Sequence, residues 1–304
     1  MINGVSLDQL RTFIVAVDEG SFSAAARKLY RAQSVISDLV SNLEAQMGVQ
    51  LFDRSGRYPK LTPAGQALLA DARGIVTSVD FMKARAKGLS EGLEAELSVV
   101  VDVLFPIATV AVIANEFKQR FPGTPLRVFV EALGATYHRV LDGTAAIGAV
   151  AALPSALASL STEHLADITL VMVASRNHPL AAFRGFIPKS ELVKHVQLVL
   201  TDRTSLSEGI EYAVMSSSTW RLTDLFAKHA FLLSGLGWGG MPLHVVQRNI
   251  AEGELVELML EDVPPAGISV PMSTIYRTAA PPGPAGRWFL DRLKSLHGET
   301  TAGQ

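Results

Sequence analysis

Apolar positions recur regularly from the start of the chain. Leu7, Leu10, Phe13, Ile14 and Val17 follow at spacings of three and four, which predicts an amphipathic helix ended by Gly20. Ser21 reads as the N-cap of a second short helix over Phe22–Leu29, packed through Ala25, Ala26 and Leu29. After the turn Tyr30-Arg31-Ala32 the pattern predicts a third helix over Gln33–Met47, closed by Gly48, with Val35, Ile36, Leu39, Val40 and Leu43 as its buried face. Its outward positions carry Gln33, Ser34, Ser37, Asp38 and Ser41. Two short helices joined by a tight turn, the second with small polar side chains near its start, suit a recognition helix in the major groove. There a glutamine pairs with adenine edges, and a serine bonds to base or phosphate.

Residues 49–61 then predict two short strands around Ser55-Gly56, with Arg54, Arg57 and Lys60 clustered beside the turn. A basic hairpin next to a recognition helix reads as a wing that grips phosphate or the minor groove, and Arg31 joins the same DNA-facing set. The bland alternative is a small helical core with a solvated arginine loop. The order helix, turn, helix, basic hairpin favours DNA binding.

Thr62 and Pro63 open a long helix as N-cap and first residue. Along it Leu68, Ala72, Ile75, Val79, Met82, Ala86 and Leu89 alternate spacings of four and three, an a/d seam over three heptads. Such a helix is roughly 43 Å long at 1.5 Å per residue. A narrow seam with polar flanks predicts a dimerising helix rather than one lying on its own domain. Gly88, Gly92 and the acidic Glu91, Glu94 and Glu96 mark a hinge after it.

From Leu97 short apolar runs (97–103, 126–130, 145–150, 168–174, 196–201, 270–276) alternate with helical stretches such as 106–121 and 288–296. That alternation predicts an α/β doubly wound sheet, so the overall class is α/β.

Bulk properties narrow the functions. A length of 304 residues fits two or three domains, and 48% hydrophobic against 18% charged residues supplies sizeable cores. A formal net charge of −2 excludes a uniformly basic coat, so DNA affinity must come from a local patch. The absence of cysteine removes disulfides, thiolate catalysis and Cys-ligated zinc. The opening residues do not read as a signal peptide, and no apolar run spans a bilayer, so the expected place is the cytoplasm with no membrane partner. The seven histidines lack zinc-ligand spacing, and neither a nucleophile elbow nor a phosphate-binding loop is present. No catalytic residue, metal ligand or cofactor is therefore expected. Gly235-Leu-Gly-Trp-Gly-Gly240 does not follow a strand as a dinucleotide fingerprint must, and reads as a tight loop.

Phe22-Ser-Ala-Ala-Ala-Arg-Lys-Leu29, Ala32-Gln-Ser-Val-Ile-Ser37, Leu43-Glu44, Gly48-Val49, Leu51-Phe52-Asp-Arg54 and Leu61-Thr-Pro-Ala-Gly65 closely resemble the LysR-type transcriptional regulators. The motif string is dense across residues 7–65. Two departures stand out. The recognition-helix N-cap is Ala32 where the family usually has Ser or Thr, which costs about 1 kcal/mol unless another group caps it. Asp38 and Ser41 stand where many members carry a long polar or basic side chain.

The resemblance implies a winged helix-turn-helix over 1–64, a linker and dimerisation helix over 65–95, and an effector domain over 96–304 similar to type 2 periplasmic binding proteins. Lobe I would comprise 97–166 with 268–304 and lobe II 167–267, joined by crossing strands at 168–174 and 270–276. It also implies double-stranded promoter DNA, a small-molecule effector, RNA polymerase as a further partner, and a homo-oligomer built as a dimer of dimers. The alternative is a constitutive architectural DNA binder with a non-functional sensor.

Ligands in such folds bind beyond the carboxyl ends of strands. The matching positions are Asp102, Leu104, Phe105, Glu131, Thr201, Asp202, Ser218, Thr219 and Trp238. Phe105 and Trp238 fit lobe packing equally well, and Asp102 could instead be a surface partner of a helix dipole. If Asp102 lines the cleft, it points to an amine-bearing or hydroxyl-rich effector rather than a simple acid.

Overall fold

A computed structural model describes residues 4–55, 59–151, 157–201, 204 and 213–301, with the backbone alone for 84 and 297–301. The chain divides into two compact units, Met1–Ser90 and Glu91–Gln304.

The first unit is α1 (Leu7–Asp18), α2 (Phe22–Lys28), α3 (Gln33–Met47), β1 (Phe52–Asp53), β2 (Lys60–Leu61) and α4 (Pro63–Ser90). Local chemistry sets the helix ends. Ser6 and Gln9 form a reciprocal capping box on α1, and Ser21 Oγ accepts from Ala24 N at α2. Gly48, at φ 70°, closes α3 in the left-handed region that glycine tolerates. Ala32 at the start of α3 offers no side-chain cap. Phe13 and Phe22 meet Phe52 edge-on at 5.7 and 5.2 Å, joining α1, α2 and the β1–β2 hairpin in one core.

Two expectations change here. Val35 is exposed, because a helix against a small core buries only the stripe Ile36, Val40, Leu43, and the next buried position is Glu44. The heptad seam on α4 also does not run its full length. Leu68 and Ala72, with Leu69 and Val76, pack into the winged domain's own core. Ion pairs Arg73–Asp18 and Arg11–Asp80 fasten α4 to α1. Ile75, Met82, Ala86 and Leu89 stay exposed and Val79 half-buried, so the uncovered seam starts at Ile75.

The second unit contains, in chain order, β3 (Leu97–Asp102), α5 (Ile107–Arg120), β4 (Leu126–Glu131), α6 (Gly134–Leu141), β5 (Ile147–Ala151), β6 (Leu160–Ser175), a 3₁₀ turn at Pro179–Ala182, α7 (Lys189–Leu192), β7 (Gln197–Leu200), β8 (Thr219–Leu222), α8 (Leu225–Leu233), β9 (Trp238–Pro242), α9 (Leu243–Ala251), β10 (Leu255–Glu257), β11 (Ile268–Arg277) and α10 (Pro284–Thr301). Among the described residues the strands form one sheet in the order β4-β3-β5-β11-β6-β9-β7-β8, with β10 on β6. Parallel strands β4, β3 and β5 make lobe I, and parallel β9, β7 and β8 lobe II. The antiparallel pair β11–β6 runs between them. Central β3 is almost wholly buried, as a parallel strand covered on both faces must be, and this explains its unbroken Val99-Val100-Val101 run.

The crossing strands fall where expected, but β6 starts at Leu160 rather than 168. Its polar Ser161–His164 segment masks the strand, although it pairs with Ser273–Tyr276 of β11. Of the glycine run expected as a loop, residues 235–237 form the turn, while 238–240 enter β9, paired antiparallel with β6. A Cβ on Gly237 or Gly239 would sit 2.4 Å from Val196 O or 2.5 Å from Leu198 O. The glycines therefore let β9 approach the backbone of β7.

Candidate functional site

At the winged domain, Gln33, Ser34 and Asp38 are exposed and Ser37 and Ser41 half-buried on one side of α3. Ser23 Oγ donates to Gln33 Oε1 at 3.1 Å, which orients that amide at the helix start. Arg31 is paired with Asp8 at 2.6 Å on the surface. Lys60 is exposed on β2, opposite Asp53. Arg57 lies outside the described residues. The sequence reading missed Tyr30, which is 96% exposed in the α2–α3 turn at φ 53°. A bulky residue seldom adopts that conformation, and no described residue of this unit covers the ring.

Arg54 is placed differently from the free wing arginine that the sequence suggests. Its Nη2 donates to Glu44 Oε2 and to Ser41 Oγ, and its guanidinium sits 5.3 Å from the Phe22 ring centroid. Glu44 Oε1 accepts the N–H groups of Leu51 and Phe52. Arg54 therefore holds the wing against the recognition helix.

In the second unit, Asp102 is buried at the end of β3 and does not offer its carboxylate to a ligand. Oδ1 accepts from Leu104 N at 2.9 Å and Oδ2 from Leu133 N at 3.2 Å. Burial pushes the Asp102 carboxyl up to about 7, opposed by hydrogen bonds from the backbone of Leu104, Leu133 and Ala151. Leu133 itself sits at φ 50°, ψ −128°, a conformation glycine favours, and Asp102 holds its amide there. The argument from Asp102 to an amine-bearing effector therefore fails: the carboxylate is occupied by backbone donors.

Two cavities lie between the lobes. The first, about 100 Å³, is walled by Leu104 and Leu133 of lobe I, Leu170 and Val270 of the crossing strands, and Leu198 and Leu225 of lobe II. Gln197 and Lys228 are the polar side chains on its lining. Gln197 is spent on backbone: Nε2 donates to Ala213 O, and Oε1 accepts from Met215 N and Ser216 N. Lys228 is 5% exposed, and its Nζ donates to Gly240 O at 2.6 Å. Burial lowers the Lys228 ammonium to about 8. The second cavity, about 430 Å³, carries Asp102, Phe105, Glu131, Asp224, Phe226 and His244 on its lining. Glu131 is paired with Arg139, and burial lowers His244.

Of the proposed effector contacts, Leu104 thus reaches the first cavity, and Asp102, Phe105 and Glu131 border the second. Thr201, Ser218 and Thr219 border neither; the backbone of Thr201 donates to Leu222 O, and Thr219 begins β8. Trp238 is fully buried in the lobe II core with Met172, Leu180 and Leu192, so the packing alternative holds for it. Asp202 lies outside the described residues. Lys228 escaped the sequence reading, yet a signal was present. Leu225, Lys228 and Leu232 share one stripe of α8, so the lysine occupies an apolar face.

A winged helix-turn-helix followed in the chain by a two-lobed α/β domain with an interlobe cavity defines a ligand-responsive DNA-binding regulator. Residues 7–66 match the bacterial regulatory helix-turn-helix protein, lysR family, and residues 90–297 match the LysR substrate binding domain. The chain belongs to the LysR family of transcriptional regulators. It is 30% identical over 254 residues to the HTH-type transcriptional regulator YeeY of Escherichia coli (strain K12), covering 83% of this chain and 82% of that one. It is 29% identical over 253 residues to the HTH-type transcriptional activator AllS of Klebsiella pneumoniae, covering 82% and 93%. Among solved structures, a Corynebacterium glutamicum OxyR C206 mutant shares the fold, with a TM-score of 0.56 and 24% identity over 98% of this chain and 94% of that one. CrgA from Neisseria meningitidis does so with a TM-score of 0.50 and 24% identity over 97% and 99%. These relatives are regulators rather than enzymes, and the comparisons lend nothing to the constitutive architectural alternative. Among the described residues, no helix is long and apolar enough to cross a membrane.

Proposed function

We propose that α3 reads promoter DNA with Gln33, Ser34 and Ser37 at base edges. Asp38 either accepts from a cytosine amino group or turns away from phosphate. Arg31, Lys60 and Arg57 hold the phosphate backbone, while Arg54 positions the wing. The observation that carries this reading is the exposed polar N-terminal half of α3 with a hairpin clamped beside it through Glu44. Two chains pair through the uncovered part of α4, where Ile75, Met82 and Leu89 stand exposed at heptad spacing, and two such pairs form the tetramer. The effector binds between the lobes of the second unit and biases the assembly by its differential affinity for two states. The regulator works in the cytoplasm, with RNA polymerase as a further partner.

Fluorescence anisotropy on promoter fragments tests the DNA half. Gln33→Ala relaxes preference at one or two base pairs per half-site, by about 1–3 kcal/mol. Lys60→Ala weakens all sequences alike and flattens the salt dependence. Unchanged base preference in Gln33→Ala overturns the assignment.

A further inference from the structure

Lys228 presents a problem that the fold alone does not solve. An ammonium carries three donors, and among the described residues this one has a single acceptor, Gly240 O. No described carboxylate pairs with it, and burial is the sole cause of its lowered pKa. A buried cation is costly unless it is paired. Lys228 and Gly240 both lie on the lining of the first interlobe cavity, whose other walls are almost wholly aliphatic.

We infer that the effector is a small monocarboxylic acid with a hydrocarbon body, its carboxylate seated on Lys228 Nζ and its body enclosed by Leu104, Leu133, Leu198 and Val270. This rests on the reading that the interlobe cavity is the effector site. Three features select this class. Among the described residues the lining offers one cation and no second charge for a diacid or a zwitterion. The volume, about 100 Å³, is below that of an apolar cavity of roughly 150 Å³ that encloses benzene, so the body is compact. The neighbouring larger cavity has the carboxylate of Asp224 on its lining and, among the described residues, no lysine or arginine, so an anion is directed to Lys228.

Calorimetric titration of the full chain with propionate, isobutyrate and isovalerate, each against its neutral amide and against inorganic phosphate, tests the inference. The acids should bind at least tenfold tighter than their amides, and phosphate should give no heat. Lys228→Met should erase the acid preference while leaving amide binding in place. Leu198→Trp, which fills the cavity, should abolish binding of every probe. Acids binding no better than amides, or a preference that survives in Lys228→Met, overturns the charge assignment, while loss in Leu198→Trp still upholds the cavity. Acid binding that persists in Leu198→Trp rejects the cavity itself. Absence of heat with all three acids overturns the proposal. If Lys228→Met does not fold, the acid-to-amide ratio of the wild type and its loss in Lys228→Gln decide.

Discussion

Arg54 Nη2 donates at 2.9 Å to Glu44 Oε2, and the carboxylate that receives it is 4% exposed. The other oxygen of that carboxylate takes the N–H groups of Leu51 and Phe52 at 2.8 and 3.0 Å. Glu44→Ala orphans two buried amides and should cost on the order of 3 kcal/mol. Arg54→Ala leaves those amides satisfied, and its own charge is partly solvated, so its cost should be about 1 kcal/mol. Urea midpoints of the two variants check this. Equal destabilisation would show that Glu44 is not the anchor of the wing.

The split role of α4 gives a paired test. Ile75 is 49% exposed, whereas Ala72, one turn earlier, is 3% exposed in the winged core. Ile75→Glu should leave the fold intact, yield monomers in sedimentation and abolish operator binding. Ala72→Glu should unfold the winged domain itself, by several kcal/mol for an unpaired buried charge. A dimeric Ile75→Glu/Met82→Glu double variant would remove the seam from α4.

Ala32 has the extended backbone of an N-cap, φ −69° and ψ 146°, without a side chain to use it. Ala32→Ser should stabilise the winged domain by about 1 kcal/mol, because its hydroxyl reaches an otherwise free amide of the first turn. Thermal unfolding of the isogenic pair measures it, and a drop in midpoint would count against the capping account.

Asp102 makes stability depend on pH. Its folded pKa, about 7, lies above the usual carboxyl value near 4, so the folded chain keeps a proton that the unfolded chain gives up. The contribution is fully present below about pH 4, falls as pH rises, and is lost above about 7. Asp102→Asn should flatten the melting temperature across that window at constant ionic strength. An unaltered slope would place the titrating group elsewhere.

The winged unit was legible because its short helices show their period within two turns, and because Gly20, Ser21 and Gly48 mark their ends. What escaped was the choice of partner for an apolar face. The spacing of Leu68 and Ala72 is the same whether they meet a second chain or α1. The direction of side chains at strand ends escaped too. Asp102 and Trp238 lie near the positions where ligands bind in such folds, yet one is taken by backbone amides and the other by the lobe II core. Lys228 was hidden by its residue type, since lysine is ordinarily solvated.

In β11, Pro271 removes one ladder donor, and between Met272 and Ser273 the partner strand skips Leu165. The lobes are thus joined by a torsion bar with one soft spot, not by free loops. If the proposed effector seats in the cavity, a substitution that stiffens the bar at Pro271 or Leu165 should change the response while leaving both binding surfaces untouched.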